Sequence, residues 1–93
     1  MDSSSVIWKY ELPVTDGPIK LSIPGYLRII SIGEQDGKLF VWVWKLTSSN
    51  DCHQVIFYVF GTGNQILVPN ILPVGSVQMS CGLVWHVFKS IGD

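Results

Sequence analysis

The chain has 93 residues, of which 47% are hydrophobic and only 14% are charged, whereas an average soluble domain carries roughly 25% charged residues. This length predicts one domain over residues 1–93, near the lower limit for a chain that folds around a single core. The formal net charge of −1 excludes both the basic excess that attracts nucleic acid and an acidic interaction tail.

Two alternating stretches follow a short lead-in, residues 1–5, that we expect to be disordered. Val6–Leu12 and Ile19–Ile23 each place apolar side chains on one face and charged or small polar ones on the other, which is typical of half-exposed strands. Residues 13–18 contain two prolines and a glycine, so we expect a turn that joins the two strands into a hairpin. Pro24-Gly25 then suits the central positions of a type II turn.

The most strongly β-like stretch of the chain is Leu39–Leu46. It follows Asp36-Gly37, a pair that favours the type I′ hairpin turn because both residues tolerate positive φ, and Tyr26–Gln35 is the expected partner strand. Alternate side chains point to opposite faces of a strand, and here both faces are apolar. We therefore expect a central strand that is packed on both sides, with Phe40, Trp42 and Trp44 on one face and Leu39, Val41 and Val43 on the other.

The C-terminal half continues the same pattern. Val55–Phe60 is a second strand that is apolar on both faces, Ile66–Val68 predicts a brief strand, and Pro69–Leu72 has room for one helical turn. The last expected hairpin comprises Ser76–Ser80, the turn Cys81-Gly82, and Leu83–Phe88. The whole pattern predicts an all-β fold, a small hairpin-rich antiparallel barrel or sandwich of about seven strands.

Residues 52–88 contain no aspartate, glutamate, lysine or arginine. Solvent-facing strands normally carry charges, which keep the protein soluble and prevent edge-to-edge pairing. A domain of this length cannot bury so much apolar surface by itself. We therefore expect a homo-oligomer, a dimer or higher, whose interface uses one face of the two-sided strands.

The expected cellular location follows from the N-terminus and the cysteines. The N-terminus has no basic segment followed by an apolar core, and no run of about 18 uninterrupted apolar residues occurs in the chain. We therefore expect neither a signal peptide nor a membrane span. Cys52 and Cys81 are expected to be reduced thiols, as in a cytoplasmic protein.

No residue of the chain has the sequence setting of a catalytic group. Acid–base catalysis requires a carboxylate or histidine in a dry cleft, and the acidic residues here fall at termini, in turns or on wet faces. Nucleophile elbows and phosphate-binding glycine loops are absent. Cys52-His53, and Cys81 with His86, contain metal-binding atoms, but their spacing makes them diverge on a strand. We expect no enzyme, no cofactor and no metal site.

A ligand- or partner-binding site is expected near the glycine-rich break after the second two-sided strand. The glycines allow close backbone approach, and Thr62 and Asn64 add polar groups to an otherwise apolar half. His86 needs a hydrogen-bond partner in its apolar strand, and Arg28 interrupts an apolar face of another strand. The ordinary alternative is a tight turn, a core histidine and a surface arginine. The expected site residues are Arg28, Gly61, Thr62, Gly63, Asn64 and His86.

The aromatic side chains suggest a different function, in which bases of a single-stranded nucleic acid stack on them. The candidates are Trp8, Tyr10, Phe40, Trp42 and Trp44. Such sites combine aromatic rings with a positive groove, whereas the six lysines and arginines are scattered along this chain. Packing in a core or an interface is therefore the preferred role, and exposure of two adjacent tryptophan rings would favour nucleic acid instead.

Three stretches, Trp8–Asp16 (WKYELPVTD), Gly61–Gly63 (GTG) and Gly82–Phe88 (GLVWHVF), occur in an order that resembles a family of small uncharacterised proteins of bacteriophages and prophage regions. The resemblance implies no activity, cofactor or catalytic residue. It implies a short phage accessory protein in the host cytoplasm, and small proteins of this kind often antagonise host defence. They do so by binding a host defence protein or by sequestering a nucleotide signal. A non-enzymatic anti-defence protein is thus expected, and a small β-barrel that binds single-stranded nucleic acid is the alternative.

Overall fold

Over residues 4–91, the part of the chain that the structure describes, the computed structural model contains seven β-strands and no helix. The strands are β1 (Ser5–Glu11), β2 (Ile19–Pro24), β3 (Tyr26–Gln35), β4 (Lys38–Leu46), β5 (Cys52–Gly61), β6 (Ile71–Gln78) and β7 (Val84–Ser90). The all-β prediction and the expected number of strands are confirmed. Within the same residues, nothing helical is long and apolar enough to cross a membrane. The expected lead-in, 1–5, lies partly outside the described residues, and Ser5 already belongs to β1.

The strands form two separate sheets. One sheet has three strands in the order β1-β4-β3, and the other has four in the order β2-β5-β7-β6, with every neighbouring pair antiparallel. The sheets do not close into a barrel but pack against each other around a shared core, so the sandwich is the correct one of the two expected architectures. The expected central position of β4 is confirmed within the three-stranded sheet.

Two of the expected hairpins are present because their turns have the required backbone geometry. Asp36 and Gly37 both have positive φ, 53° and 78°, as a type I′ turn between β3 and β4 demands. β6 and β7 form the last hairpin, in which Gly82 N donates to Met79 O at 2.9 Å and Met79 N donates to Leu83 O at 2.7 Å. These two turns set the register in which their strands pair.

The expected hairpin of β1 with β2 is wrong. β1 pairs with β4 and β2 pairs with β5, so residues 12–18 carry the chain from one sheet to the other. Leu12 anchors this crossing, because its N–H donates to Leu39 O at 2.8 Å and its side chain is buried in the core. The alternation of a strand identifies its buried face, but it does not identify the neighbouring strand.

Gly25 returns the chain to the three-stranded sheet. Its φ of 72° fits the glycine position of the expected type II turn. Its N–H donates to Asp51 O at 2.9 Å, and its carbonyl oxygen accepts a hydrogen bond from Leu46 N at 2.8 Å. The corner between β2 and β3 is therefore bonded both to the end of β4 and to the loop before β5.

The expected brief strand at residues 66–68 is wrong. Residues 66–68 form no strand, and Leu67 is 80% exposed in a loop. The limit of one helical turn, allowed at residues 69–72, is respected, and that place is taken instead by β6, which begins at Ile71 and continues through a bulge that follows Pro73. Proline cannot donate a hydrogen bond to a neighbouring strand, and a bulge on an edge strand is one of the few places where a sheet accommodates it.

The core lies between the sheets and is formed by the inward faces of both. Its largest contribution comes from β4, β5 and β7, with Leu39, Val41, Val43, Val55, Phe57, Val59 and Val87. The opposite faces of β4 and β5, which we expected to be packed as well, are mostly half-buried, and Trp44 is 39% exposed. A two-layer sandwich has no third layer to cover them. Aromatic rings shield one another instead, with centroids 6.3 Å apart for Phe40 and Trp42 and 5.6 Å apart for Phe60 and Phe88.

Candidate ligand-binding pocket

A pocket of about 270 Å³ opens on the outward face of the four-stranded sheet, where β5, β6 and β7 lie side by side. We call it the His86 pocket. It is lined by the polar residues Thr62, Asn64, Ser76 and His86, the apolar residues Phe60, Ile66, Pro73 and Phe88, and Gly61, Gly63 and Gly75. Apolar walls with a few convergent polar groups are the usual composition of a small-molecule site.

Strand register places His86 at the centre of this surface. In β7 it pairs with Phe60 of β5 on one side and with Ser76 of β6 on the other. Val87, the next residue, is fully buried in the core. Because successive side chains of a strand point to opposite faces, the imidazole of His86 points outward into the pocket.

Both ring nitrogens of His86 are hydrogen-bonded to hydroxyl groups. Nε2 lies 2.7 Å from Thr62 Oγ1, and Nδ1 lies 2.6 Å from Ser76 Oγ. A neutral imidazole has one N–H donor and one acceptor nitrogen, so one hydroxyl donates to the ring and the other accepts from it. The hydroxyl that accepts keeps its own O–H for a ligand, whereas the hydroxyl that donates keeps only acceptor lone pairs. The pocket therefore presents a donor and an acceptor, one on each side of the imidazole ring.

The turn after β5 brings Thr62 to this position. Asn64 N donates to Gly61 O at 3.2 Å, and Gly63 has a φ of 87°, which an L-residue rarely adopts. A side chain at position 61 would also be crowded, because its Cβ would lie 3.2 Å from Asn64 Nδ2. The two glycines therefore allow the tight turn that holds the Thr62 hydroxyl against the imidazole.

Aromatic rings form one wall of the His86 pocket. Phe60 meets Phe88 edge to face, with an interplanar angle of 78°, and Tyr58 stacks on Phe60 with centroids 6.4 Å apart. Among the described residues that line the pocket, none carries a formal charge. A ligand held here would be bound by ring contacts and neutral hydrogen bonds and not by an ion pair.

Five of the six expected site residues line the His86 pocket, and Arg28 does not. Arg28 belongs to β3 in the other sheet, where it pairs with Trp44 and borders a separate depression shared with Tyr26 and Lys89. Burial raises the pKa of the Tyr26 hydroxyl, and the nearby charge of Arg28 partly offsets this. Arg28 is thus a surface cation of the three-stranded sheet, distant in topology from the expected site.

Sequence reasoning missed Ser76 and the two phenylalanines of the pocket. A signal for Ser76 exists, because Ser76 and His86 lie five residues on either side of Cys81, where the hairpin turn was expected. In an antiparallel hairpin such positions lie opposite each other. The pairing of Phe60 with His86 had no comparable signal, since β5 and β7 are not consecutive strands.

The exposed tryptophans do not meet the condition set for a nucleic-acid site. Trp8 is 56% exposed and Trp44 is 39% exposed. Trp8 pairs with the inward-facing Val43, whereas Trp44 pairs with Ile7 on the outward face, so their rings lie on opposite sides of the sheet. Trp42, which shares a face with Trp44, is half-buried.

Metal-binding side chains are dispersed over residues 4–91, where no three histidine, cysteine or carboxylate groups lie close enough to hold an ion. Cys52 and Cys81 are exposed thiols that form no disulfide. Both nitrogens of His86 already contact hydroxyl groups, so its imidazole offers no vacant ligand position without rearrangement.

Comparison with known proteins identifies a family. A family model described as a domain of unknown function, DUF7352, matches residues 3–93. No curated protein and no solved structure matches the chain. The match covers nearly the whole chain, including every strand described above.

Proposed function

The chain belongs to the DUF7352 family, and we propose that it is a non-enzymatic binding protein that holds a small ligand in the His86 pocket. The resemblance to phage proteins supports a finer version of this proposal. In that version a phage encodes the protein, which acts in the host cytoplasm and antagonises defence by sequestering a nucleotide signal.

One observation carries the proposal: His86 is held between the hydroxyls of Thr62 and Ser76 at 2.7 and 2.6 Å, beside the rings of Phe60 and Phe88. The hydroxyls present a donor and an acceptor at two separate positions, one on each side of the imidazole, where they can bond polar groups at different points of a heterocyclic ligand. The aromatic wall offers a surface on which a planar ring can stack.

The size and charge of the pocket narrow the ligand further. Sites for drug-sized molecules typically enclose about 300–1,000 Å³, and the His86 pocket, at about 270 Å³, fits one base or nucleoside unit. None of the described residues that line it is charged, so phosphate groups would lie outside in solvent. The pocket therefore favours recognition of the base of a nucleotide over recognition of its phosphates.

Binding of a host defence protein is the other arm of the anti-defence proposal. A stable protein interface usually buries more than about 1,000 Å² and does not require a concave polar centre. The His86 pocket is concave and small, which favours the nucleotide arm. If no nucleotide or nucleoside binds in the titration below, the defence-protein arm is favoured instead.

We expect isothermal titration of the full chain with a panel of cyclic nucleotides and nucleosides to find a ligand whose affinity depends on the base. Replacing His86 by alanine removes the group that orients both hydroxyls. We expect a loss of about 1–1.5 kcal/mol, or roughly tenfold in Kd, for the perturbed hydrogen bonds.

His53→Ala is the matched control for this experiment. His53 is the only other histidine of the chain, and it stacks on Tyr26 at the opposite end of β5. The His53→Ala variant should bind the ligand with the affinity of the wild type. If folded His86→Ala also retains wild-type affinity, the ligand does not occupy this pocket.

Binding of single-stranded nucleic acid is a second candidate, favoured by the outward face of the three-stranded sheet. There Lys9 pairs with Trp42 and Arg28 pairs with Trp44, and Lys9 Nζ lies 4.5 Å from the centroid of Phe40. A row of rings flanked by cations can stack bases and contact the backbone. This candidate predicts binding that falls steeply with salt and is lost in Trp44→Ala, whereas binding in the uncharged His86 pocket should depend little on salt.

A further inference from the structure

We propose that two copies of the chain pair through β1, antiparallel across a two-fold axis at Trp8, so that their three-stranded sheets become one six-stranded sheet. This interface is independent of the proposed ligand and lies on the other sheet from the His86 pocket. It also differs from the face-to-face contact that the two-sided strands suggested, because it uses an edge of the sheet.

The backbone of β1 has one row of hydrogen-bonding groups directed away from its sheet. Leu12 N donates to Leu39 O at 2.8 Å, and Ser4 O accepts from Thr47 N at 3.1 Å, so the even-numbered residues are bonded towards β4. Backbone groups alternate in direction along an antiparallel strand. The N–H and C=O groups that point outward are therefore those of Ser5, Ile7, Lys9 and Glu11.

The other three edge strands carry features that prevent pairing with another chain, and β1 does not. β2 follows Pro18 directly and ends at Pro24, β3 has two register shifts, and β6 contains Pro73 and a bulge. Prolines and bulges are the usual protections of a sheet edge. β1 pairs with β4 over seven consecutive residues, Ser5–Glu11, with neither a proline nor a bulge.

A lysine can also protect an edge, but Lys9 is held away from it. Lys9 Nζ donates to Gln35 Oε1 at 2.6 Å and lies 4.5 Å from the centroid of Phe40. Both contacts draw the side chain back across the face of its own sheet. Ser5 is drawn in the same direction, because Trp44 Nε1 donates to Ser5 Oγ at 2.8 Å. The edge of β1 is therefore accessible to another strand.

A second copy of β1 fits this edge better in one register than in registers shifted along the strand. With Trp8 on the axis all seven residues pair, Ile7 lies opposite the partner's Lys9, and Ser5 lies opposite the partner's Glu11. A shift that puts Lys9 on the axis would place two lysines opposite each other, which destabilises a strand pair. Because the same edge is used by both copies, the assembly is complete as a dimer and adds no further copies through this contact. The contact covers Trp8 and Ile7, which are 56% and 54% exposed in one copy.

Cysteine crosslinking tests the register. Opposed residues that do not exchange hydrogen bonds have Cα atoms about 4.5 Å apart, which a disulfide can span. In a Cys52→Ser, Cys81→Ser background, Trp8→Cys should form a covalent dimer on a non-reducing gel. Ile7→Cys is the matched control, because it faces the partner's Lys9 and not its own copy, and it should crosslink far less.

A proline substitution tests the hydrogen bonds. Ile7→Pro removes an N–H that points outward and leaves the bonds to β4 in place, so native mass spectrometry should show a folded monomer where the wild type is a dimer. Three results would each overturn the proposal: a monomeric wild type at micromolar concentration, an Ile7→Pro variant that stays dimeric, or a dimer in which Trp8→Cys does not crosslink.

Discussion

Replacing Gly25 by alanine is expected to lower the free energy of unfolding by about 4 kcal/mol, a large share of the roughly 5–15 kcal/mol that stabilises a native domain. Gly25 has a φ of 72°, where an L-residue costs about 1–2 kcal/mol. Its new Cβ would overlap the carbonyl oxygen of Leu46 and lie 3.1 Å from Leu46 N. These backbone atoms cannot move away without breaking the hydrogen bond from Leu46 N to Gly25 O.

Two other glycines allow the cost of the positive φ to be separated from the cost of the contact with Leu46. Gly37 has a φ of 78°, but a Cβ added there would meet nothing within 4 Å, so Gly37→Ala should cost only about 1–2 kcal/mol. Gly17 has neither a positive φ nor a close neighbour, and Gly17→Ala should change stability by no more than about 1 kcal/mol. Urea unfolding of the three variants measures the series, and equal losses for Gly25→Ala and Gly37→Ala would contradict the role of the Leu46 contact.

The second large effect is expected for Val59→Lys. Val59 is only 9% exposed and lies in the core between the sheets. An ammonium group placed there without a partner costs several kcal/mol, so the variant should lose its cooperative thermal transition.

Trp44→Lys is the control for this substitution, because Trp44 also lies in a two-sided strand but is 39% exposed on the outward face. It loses the indole ring with its hydrogen bond to Ser5, and we expect a cost of about 1–2 kcal/mol in a protein that still folds. Similar thermal unfolding curves for the two lysine variants would mean that the two faces of the sandwich are not distinguished as the structure describes.

This pair of substitutions also shows what alternation alone could not predict. Val59 and Trp44 belong to strands whose two faces are equally apolar, so residue type offers no reason to rank one face above the other. The choice depends on how many layers the fold has. A two-sheet sandwich buries one face of each sheet and leaves the second to be covered by neighbouring side chains or by another molecule.

Local geometry was predictable where one or two residues determine it. Asp36-Gly37 specified a turn with two positive φ values, and Pro24-Gly25 specified another at which Gly25 has a φ of 72°. The neighbour of a strand was not predictable in the same way. β1 and β2 have the alternation of a hairpin, yet residues 12–18 separate them into different sheets, because pairing is decided by contacts far apart in sequence.

The candidate site, too, was predictable from residue type but not where its membership depends on strand order. Gly61–Asn64 and His86 could be selected from residue type, since a glycine turn with polar side chains and a histidine in an apolar strand both need a structural explanation. Arg28 met the same kind of criterion but lies on the other sheet. Its separation from His86 follows from strand order, which residue type does not encode.

The crossing of residues 12–18 has a consequence for the order in which the protein folds. Among the described strands, only β3 with β4 and β6 with β7 are both consecutive and paired, so only these two hairpins can form from local chain. β2 must wait for β5, which follows it by the whole length of β3 and β4. Pairings between distant segments slow folding, typically to milliseconds or seconds for β-sandwiches. On a ribosome, the β2 segment would therefore emerge early and remain unpaired until β5 had been synthesised.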